Sequence, residues 1–259
     1  MGLMAGKRGL IVGVANDHSL AYHIALSLQR EGAECLFTHL PGEKMQRRCT
    51  KALERGGFVD PWLAPMDAGV DDDLDRVFDS IGAEDGRLDF LVHSIAFADR
   101  EWLKDGSFTA TPREAFLRAL DISVFTKMAM AHRAAPLMSE GGSIMSLSYY
   151  GAEKAVKGYN VMGVAKAALE SATRYLSLEL GSSNIRVNTI SAGPCKTLSA
   201  MGVGGFSTIL RTVEEHAPLG RNVTGQDIGD SALYLLSDLS GGMTGQVLHV
   251  DCGYSVVGF

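Results

Sequence analysis

The chain has 259 residues, 46% hydrophobic and 21% charged, with a net charge of −6, a balance that suits one large α/β domain spanning residues 1–259. A net negative chain is poorly matched to nucleic acid or to an anionic membrane, and no apolar run reaches the length of a membrane span. The four cysteines, Cys35, Cys49, Cys195 and Cys252, fit neither a zinc spacing nor a disulfide-dense scaffold, and the seven histidines show no metal-ligand pattern; the expected home is a reducing cytoplasm, with no metal bound.

The start, MGLMAGKRGLIVGVA, enters a strand directly rather than a signal-peptide cleavage site. Lys7 to Val14 reads as that strand. Leu20 to Arg30 is an amphipathic helix closed at Gly32, and Ala33 to His39 a second strand, so the opening forms a βαβ unit. Gln46 to Arg55 reads as a helix, and Trp62 to Met66 as a third strand. Asp71 can cap a helix running through Ile81. Leu88 to Ser94 is a buried strand, Arg113 to Met138 is mostly helix, and Gly142 to Ser148 is the next strand. From Tyr159 to Gly181 apolar residues recur close to the 3.6 period, with glycine as the stop. Ile185 to Ser191 and Gln246 to Asp251 read as strands, and Thr224 to Leu236 as a helix. This alternation predicts a Rossmann-type doubly wound parallel sheet with helices on both faces. Ligands in such sheets lie at the carboxyl ends of the strands, here Gly13, Thr38, Asp67, Ser94, Ser148 and Ala192.

Two features near those ends suggest chemistry. Tyr159 and Lys166 are seven residues apart, about two helical turns, so their side chains leave one helix face. An ammonium near a phenol favours the phenolate and sharpens the hydroxyl as a donor; the alternative is a plain helix with a tyrosine at its start and a solvated lysine. Tyr149 lies just past a strand end. The turn GVANDHS after the first strand places Ser19 and Leu20 at a helix N-terminus, which suits a pyrophosphate. It carries one glycine and fails the general G-x-G-x-x-G fingerprint, so a plain turn capped by Asp17 or Ser19 stays open. The second strand ends in Thr38, His39 and Leu40 with no acid, while Lys44, Arg47 and Arg48 follow, which leaves NADH and NADPH both open. Asp67 can accept from an adenine amino group or simply make a turn.

Four segments carry a resemblance: GVANDHSLA after the first strand, VHSIAFA at 92–98, SYYGAEKAVKGYNVMGVAK at 148–166 and ISAGPCKTL at 190–198. They resemble the bacterial enoyl-acyl-carrier-protein reductases of the FabI type, in the short-chain dehydrogenase/reductase superfamily, and the similarity continues through TGQVLHVDCGYS at 244–255. Most of that superfamily uses Tyr-x3-Lys; here position 163 is Gly and the lysine follows six residues after the tyrosine, as in enoyl reductases.

The resemblance implies NADH-dependent reduction of trans-2-enoyl thioesters carried on acyl carrier protein, in fatty acid elongation, by a homotetramer. It implies that Tyr159 donates to the thioester carbonyl, Lys166 binds the nicotinamide ribose, and Tyr149 is a second active-site tyrosine. Gly13, Ser19 and Leu20 would face the pyrophosphate, Asp67 and Ala68 the adenine, and Ile95 the adjoining ribose, with Ser94 also cofactor-binding. Cys195, Lys196, Thr197, Leu198 and Ser199 would line nicotinamide and diphosphate, and Ala98, Met162 and Phe206 would touch substrate. Leu40, Cys195 and Cys252 depart from the family pattern; neutral Leu40 favours NADH, with NADPH not excluded.

Leu198 to Phe206 holds three glycines among apolar side chains, which suits a substrate lid over about 196–221, or else an exposed loop. Docking of the acidic carrier calls for a local basic patch; Lys196, Arg211 and Arg221 are candidates. A carbonyl reductase on the same fold is disfavoured by the six-residue gap and Tyr149, and a catalytically silent nucleotide sensor by the complete Tyr149, Tyr159 and Lys166 set.

Overall fold

The computed structural model describes residues 2–84, 86–197 and 206–258. Seven strands form one parallel sheet: β1 (Arg8–Val12), β2 (Glu34–His39), β3 (Leu63–Pro65), β4 (Phe90–His93), β5 (Gly142–Ser148), β6 (Ile185–Ala192) and β7 (Val247–Val250), in the order β3-β2-β1-β4-β5-β6-β7. The helices between them are α1 (Leu20–Arg30), α2 (Glu43–Arg55), α3 (Asp71–Glu84), α4 (Arg113–Leu120), α5 (Thr126–Ala134), α6 (Asn160–Leu180), α7 (Phe206–His216) and α8 (Gly225–Leu236). The doubly wound sheet expected from the alternation is present.

Successive residues on a strand point to opposite faces, and the core divides accordingly. Ile11, Phe37, Met145 and Ile190 pack with α1, α2 and α8 through Ile24, Leu28, Leu53, Ile228 and Leu236. Their neighbours Leu10, Leu36, Ile144 and Val187 face the other way, onto α3, α5 and α6, through Leu74, Ile81, Met130 and Leu176. Full burial of such side chains stabilises by about 1.5–3 kcal/mol each, so a one-residue slip in any central strand would exchange two matched faces. A third, smaller cluster (Leu103, Ala119, Val161 and Met162, with Ala98, Phe116 and Tyr159 against it) underlies the functional site.

β1 has β2 on one side and β4 on the other, so the strand order reverses between β1 and β4. Such a switch point leaves a crevice at the carboxyl ends. The stretch expected to be mostly helix over Arg113 to Met138 is helical: a π-helical turn, Asp121–Phe125, joins α4 to α5, and a 3-10 turn, Ala135–Leu137, ends it at Pro136. Helix α7 was not expected from the sequence, although Phe206, Ile209, Leu210 and Val213 have helical spacing. Thr224 is the N-cap of α8 in a reciprocal capping box with Asp227.

Candidate active site

A cavity of about 670 Å³ opens at the carboxyl edge of β1, β4, β5 and β6. Gly13, Ser19, Leu20, Ser94, Ile95, Ala98, Tyr149, Tyr159, Met162, Lys166, Cys195, Thr197 and Phe206 all line it. Lys196 is exposed and Asp67 and Ala68 are half-buried; none of the three is among the lining residues. Leu198 and Ser199 lie outside the described residues, as do positions 198–205 of the lid expected over about 196–221. Asp67 makes a turn at the end of β3: its Oδ1 accepts from Gly69 N at 3.0 Å, and its own N–H donates to Asp73 Oδ2 at 2.8 Å.

The β1–α1 turn is built to admit a ligand. Gly13 has φ +116°, and a Cβ there would stand 2.2 Å from the Ser94 carbonyl oxygen, so glycine alone lets the turn pass this close to β4. Neither capping residue considered from the sequence serves α1. Ser19 Oγ accepts from Ala15 N and Asn16 N, both at 3.1 Å, and makes no side-chain cap bond to the helix. Asp17 is paired with Arg55 at 2.7 Å. The positive end of α1 therefore faces the cavity uncapped by a side chain, which fits an anionic diphosphate.

The other end of the cavity is made by side chains. Tyr149 leaves the end of β5, and its ring meets the Tyr159 ring edge-on, with centroids 4.9 Å apart at 73°. Tyr159 stands just before α6, whose first residue is Asn160. Two glycines make room for it. A Cβ on Gly151 would fall 2.4 Å from Tyr159 Cδ1, and a Cβ on Gly163 would fall 2.7 Å from the Gly151 carbonyl oxygen. Position 163, where a Tyr-x3-Lys sequence would have its lysine, is thus filled by backbone, and the cation comes from Lys166 one turn further on.

Lys166 is 7% exposed, and its Nζ donates to the Leu147 carbonyl at 2.6 Å. Burial lowers its ammonium to about 8, against the attraction of Glu170. Glu170 is also buried, accepts from Ser148 Oγ, and is raised by desolvation. No lowering by the lysine is resolved at Tyr159. Desolvation first, then Tyr149 and Glu170, push the Tyr159 hydroxyl well above the ordinary phenol value, and burial pushes Tyr149 up to about 12. Burial thus favours the neutral hydroxyl at both tyrosines.

Behind these groups the α6-facing side of the sheet turns polar. Lys127 is fully buried and donates to Thr173 Oγ1 at 2.6 Å; Thr173 meets Thr189 at 2.7 Å and Thr189 meets Ser146 at 2.8 Å. Lys127 and Glu170 did not emerge from the sequence, because nothing in their spacing separates a buried ion from an exposed helix charge. Of the basic patch considered for the carrier, Arg221 is committed to Asp227 at 2.7 and 3.1 Å, while Lys196 and Arg211 are exposed.

An uncapped helix end at a sheet switch point, joined by one cavity to a desolvated tyrosine pair and a buried lysine, defines a dinucleotide-dependent oxidoreductase of the short-chain type. Residues 13–255 match the family model described as enoyl-(acyl carrier protein) reductase. The chain is 50% identical to enoyl-[acyl-carrier-protein] reductase [NADH] 1 of Rhizobium meliloti (strain 1021), over 99% of this chain and 93% of that one. It is 48% identical to enoyl-[acyl-carrier-protein] reductase [NADPH] FabI of Staphylococcus aureus (strain MRSA252), over 98% of each. A crystal structure of the Bacillus cereus enoyl-acyl carrier protein reductase with NADP+ and indole naphthyridinone superposes with a TM-score of 0.96 at 46% identity, covering all of both chains. The chain belongs to the enoyl-(acyl carrier protein) reductase family.

Proposed function

We propose that this protein reduces the 2,3-double bond of trans-2-enoyl thioesters carried on acyl carrier protein, with NADH as the preferred reductant. The observation that carries this reading is the edge-on Tyr149–Tyr159 pair with the buried Lys166, sharing one cavity with an uncapped helix N-terminus; desolvation there favours the neutral Tyr159 hydroxyl.

The residues present fit the dinucleotide. Gly13, Ser19 and Leu20 would hold the diphosphate, with Ser94, Ile95, Cys195, Lys196, Thr197, Leu198 and Ser199 along its length. Asp67 and Ala68 would meet adenine at the end of β3. Leu40 is 56% exposed just past β2, an apolar side chain where a 2′-phosphate would want a cation, which favours NADH. When bound, the reduced nicotinamide supplies hydride to the substrate β-carbon. Lys166 would donate to the nicotinamide ribose hydroxyls and fix the ring over the acyl chain. Charge would develop on the thioester oxygen as an enolate, Tyr159 would donate to that oxygen, and a proton from solvent at the α-carbon would complete the saturation. A donor that matters most when the charge has formed speeds the step rather than tightening substrate binding. Tyr149, Ala98, Met162 and Phe206 would enclose the acyl chain, and a lid over about 196–221, including α7, would close over it.

Leu117, Phe125, Met128, Val164, Tyr175 and Leu178 are exposed apolar residues along α4, α5, α6 and the π-helical turn. A face of this kind on a domain of this size asks for a partner, and further copies of the chain in a tetramer would cover it. No helix among the described residues is long and apolar enough to cross a membrane; we place the enzyme in the cytoplasm.

The test is loss of reduced-nicotinamide absorbance with crotonyl- and longer enoyl thioesters, run separately with NADH and NADPH. Turnover with NADH is expected. Oxidation with ketones but not enoyl thioesters would assign a carbonyl reductase, and binding without turnover of either a sensor.

A further inference from the structure

Tyr159 sits in an unusual corner of the backbone. The residues on either side of it are both left-handed: Gly158 has φ +75° and Asn160 has φ +43°. For glycine this is free, but for any other residue it is uncommon and sterically costly, asparagine being among the most tolerant. Asn160 is held by its own side chain. Its Nδ2 faces the Trp102 carbonyl at 2.8 Å, the Lys104 carbonyl at 2.8 Å and Ser107 Oγ at 3.0 Å. Two of these three are backbone carbonyls, which only accept, so the amide nitrogen and not its oxygen must face them. One amide thus gathers a whole turn of the 99–107 loop onto the start of α6.

That loop is a wall of the cavity. Asp99, Arg100 and Leu103 line it together with Tyr159 and Met162, and Leu103 packs in the small cluster with Met162 and Val161. We propose that Asn160 is a positioning residue, a side-chain latch that holds the 99–107 loop against the Tyr159 corner and so fixes the acyl-thioester end of the cavity. The proposal rests on the reading of Tyr159 as the donor to substrate. Its left-handed backbone is the geometry that turns the amide towards the loop, and the loop carbonyls in turn hold Tyr159 in its corner.

Two substitutions separate the backbone from the latch. Asn160→Asp keeps the shape and tolerates the left-handed conformation but turns a donor into a carboxylate facing carbonyls. Asn160→Gly adopts the same φ at no steric cost and deletes the side chain. With crotonyl thioester and NADH, both should lower kcat/KM for the thioester about tenfold or more, the size expected for losing hydrogen bonds and leaving their partners unmet. The NADH dissociation constant should stay as in the wild type, because the latch partners Trp102, Lys104 and Ser107 are none of the residues assigned to the nucleotide. A second readout does not depend on activity. Trp102 belongs to the latched turn and the chain has two tryptophans. In a Trp62→Phe background, Asn160→Gly should make Trp102 fluorescence more accessible to acrylamide. Wild-type kcat/KM in Asn160→Gly, or unchanged Trp102 quenching, would overturn the latch while leaving the function intact. Failure of the wild-type chain to reduce any enoyl thioester would overturn the function on which the latch rests.

Discussion

The two ends of the cavity are built from different materials. The nucleotide end is backbone: a glycine at φ +116° under the Ser94 carbonyl, a turn that bonds to itself through Ser19, and a helix end with no side-chain cap. The chemical end is side chain: Tyr149 edge-on to Tyr159, and Lys166 drawn 2.6 Å from the Leu147 carbonyl beside the buried Glu170. Backbone groups cannot move without moving the strand that carries them, so the nucleotide end obtains its precision from the sheet. Side chains at the chemical end are fixed by desolvation and by one another, and their protonation states are set by the same burial. Substitutions should therefore fail differently at the two ends.

The largest effect is expected at the chemical end. Tyr159→Phe keeps the ring and its edge contact with Tyr149 but removes the donor. Turnover should fall by about 10²–10³, the usual consequence of deleting one donor to a developing oxyanion. NADH binding, measured by fluorescence titration, should be unchanged. A loss of NADH affinity equal to the loss of turnover would mean that the two ends are not separable in this way.

Gly13→Ala should show the reverse pattern. A Cβ at 2.2 Å from the Ser94 oxygen, on a residue at φ +116°, forces β1 and β4 apart where the diphosphate would lie. NADH affinity should drop about tenfold or more, with a lower Tm, since strain of this kind costs on the order of 1–3 kcal/mol. The turnover of enzyme saturated with NADH should fall much less than in Tyr159→Phe. An unaltered dissociation constant would remove the diphosphate from this turn.

The same contrast explains what could be read from the sequence. The sheet was legible because alternating faces leave alternating residues: Leu10 and Ile11 point into different cores, and both are apolar. The tyrosine–lysine pair was legible because helical spacing puts side chains on one face. Its lysine position gains a physical reason from Gly163, which has no room for a side chain against Gly151. The nucleotide turn was only half legible, since a single glycine and an uncapped helix leave no spacing signal, and neither proposed cap turned out to cap α1. Least visible were effects that depend on depth. The sign of the shift at Tyr159 follows from desolvation, and no pattern of residues shows that Lys127 is buried.

Lys127 offers the smallest and most specific test of a chemical end ruled by burial. Desolvation, then the charge on Lys166, lower its ammonium from 10.5 to about 7, with Glu170 acting in the opposite direction. The folded chain therefore binds this proton less tightly than the unfolded chain. Between about pH 7 and 10.5 the unfolded state holds the proton that the folded state has lost, so this group's contribution to unfolding free energy rises with pH. The cost of burying Lys127 is complete below about pH 7 and fades as pH approaches 10.5. Lys127→Met keeps most of the volume and removes the charge, at the loss of one hydrogen bond to Thr173 worth about 1 kcal/mol. The variant's Tm should exceed that of the wild type near pH 6, and the difference should shrink or reverse by about pH 9.5. The Tm deficit of Gly13→Ala, which arises from backbone strain and no titrating group, should stay level over the same range. A Lys127→Met difference that is equally level would mean that this lysine does not titrate within the window, and that the polar layer behind Lys166 is held by its hydroxyls alone.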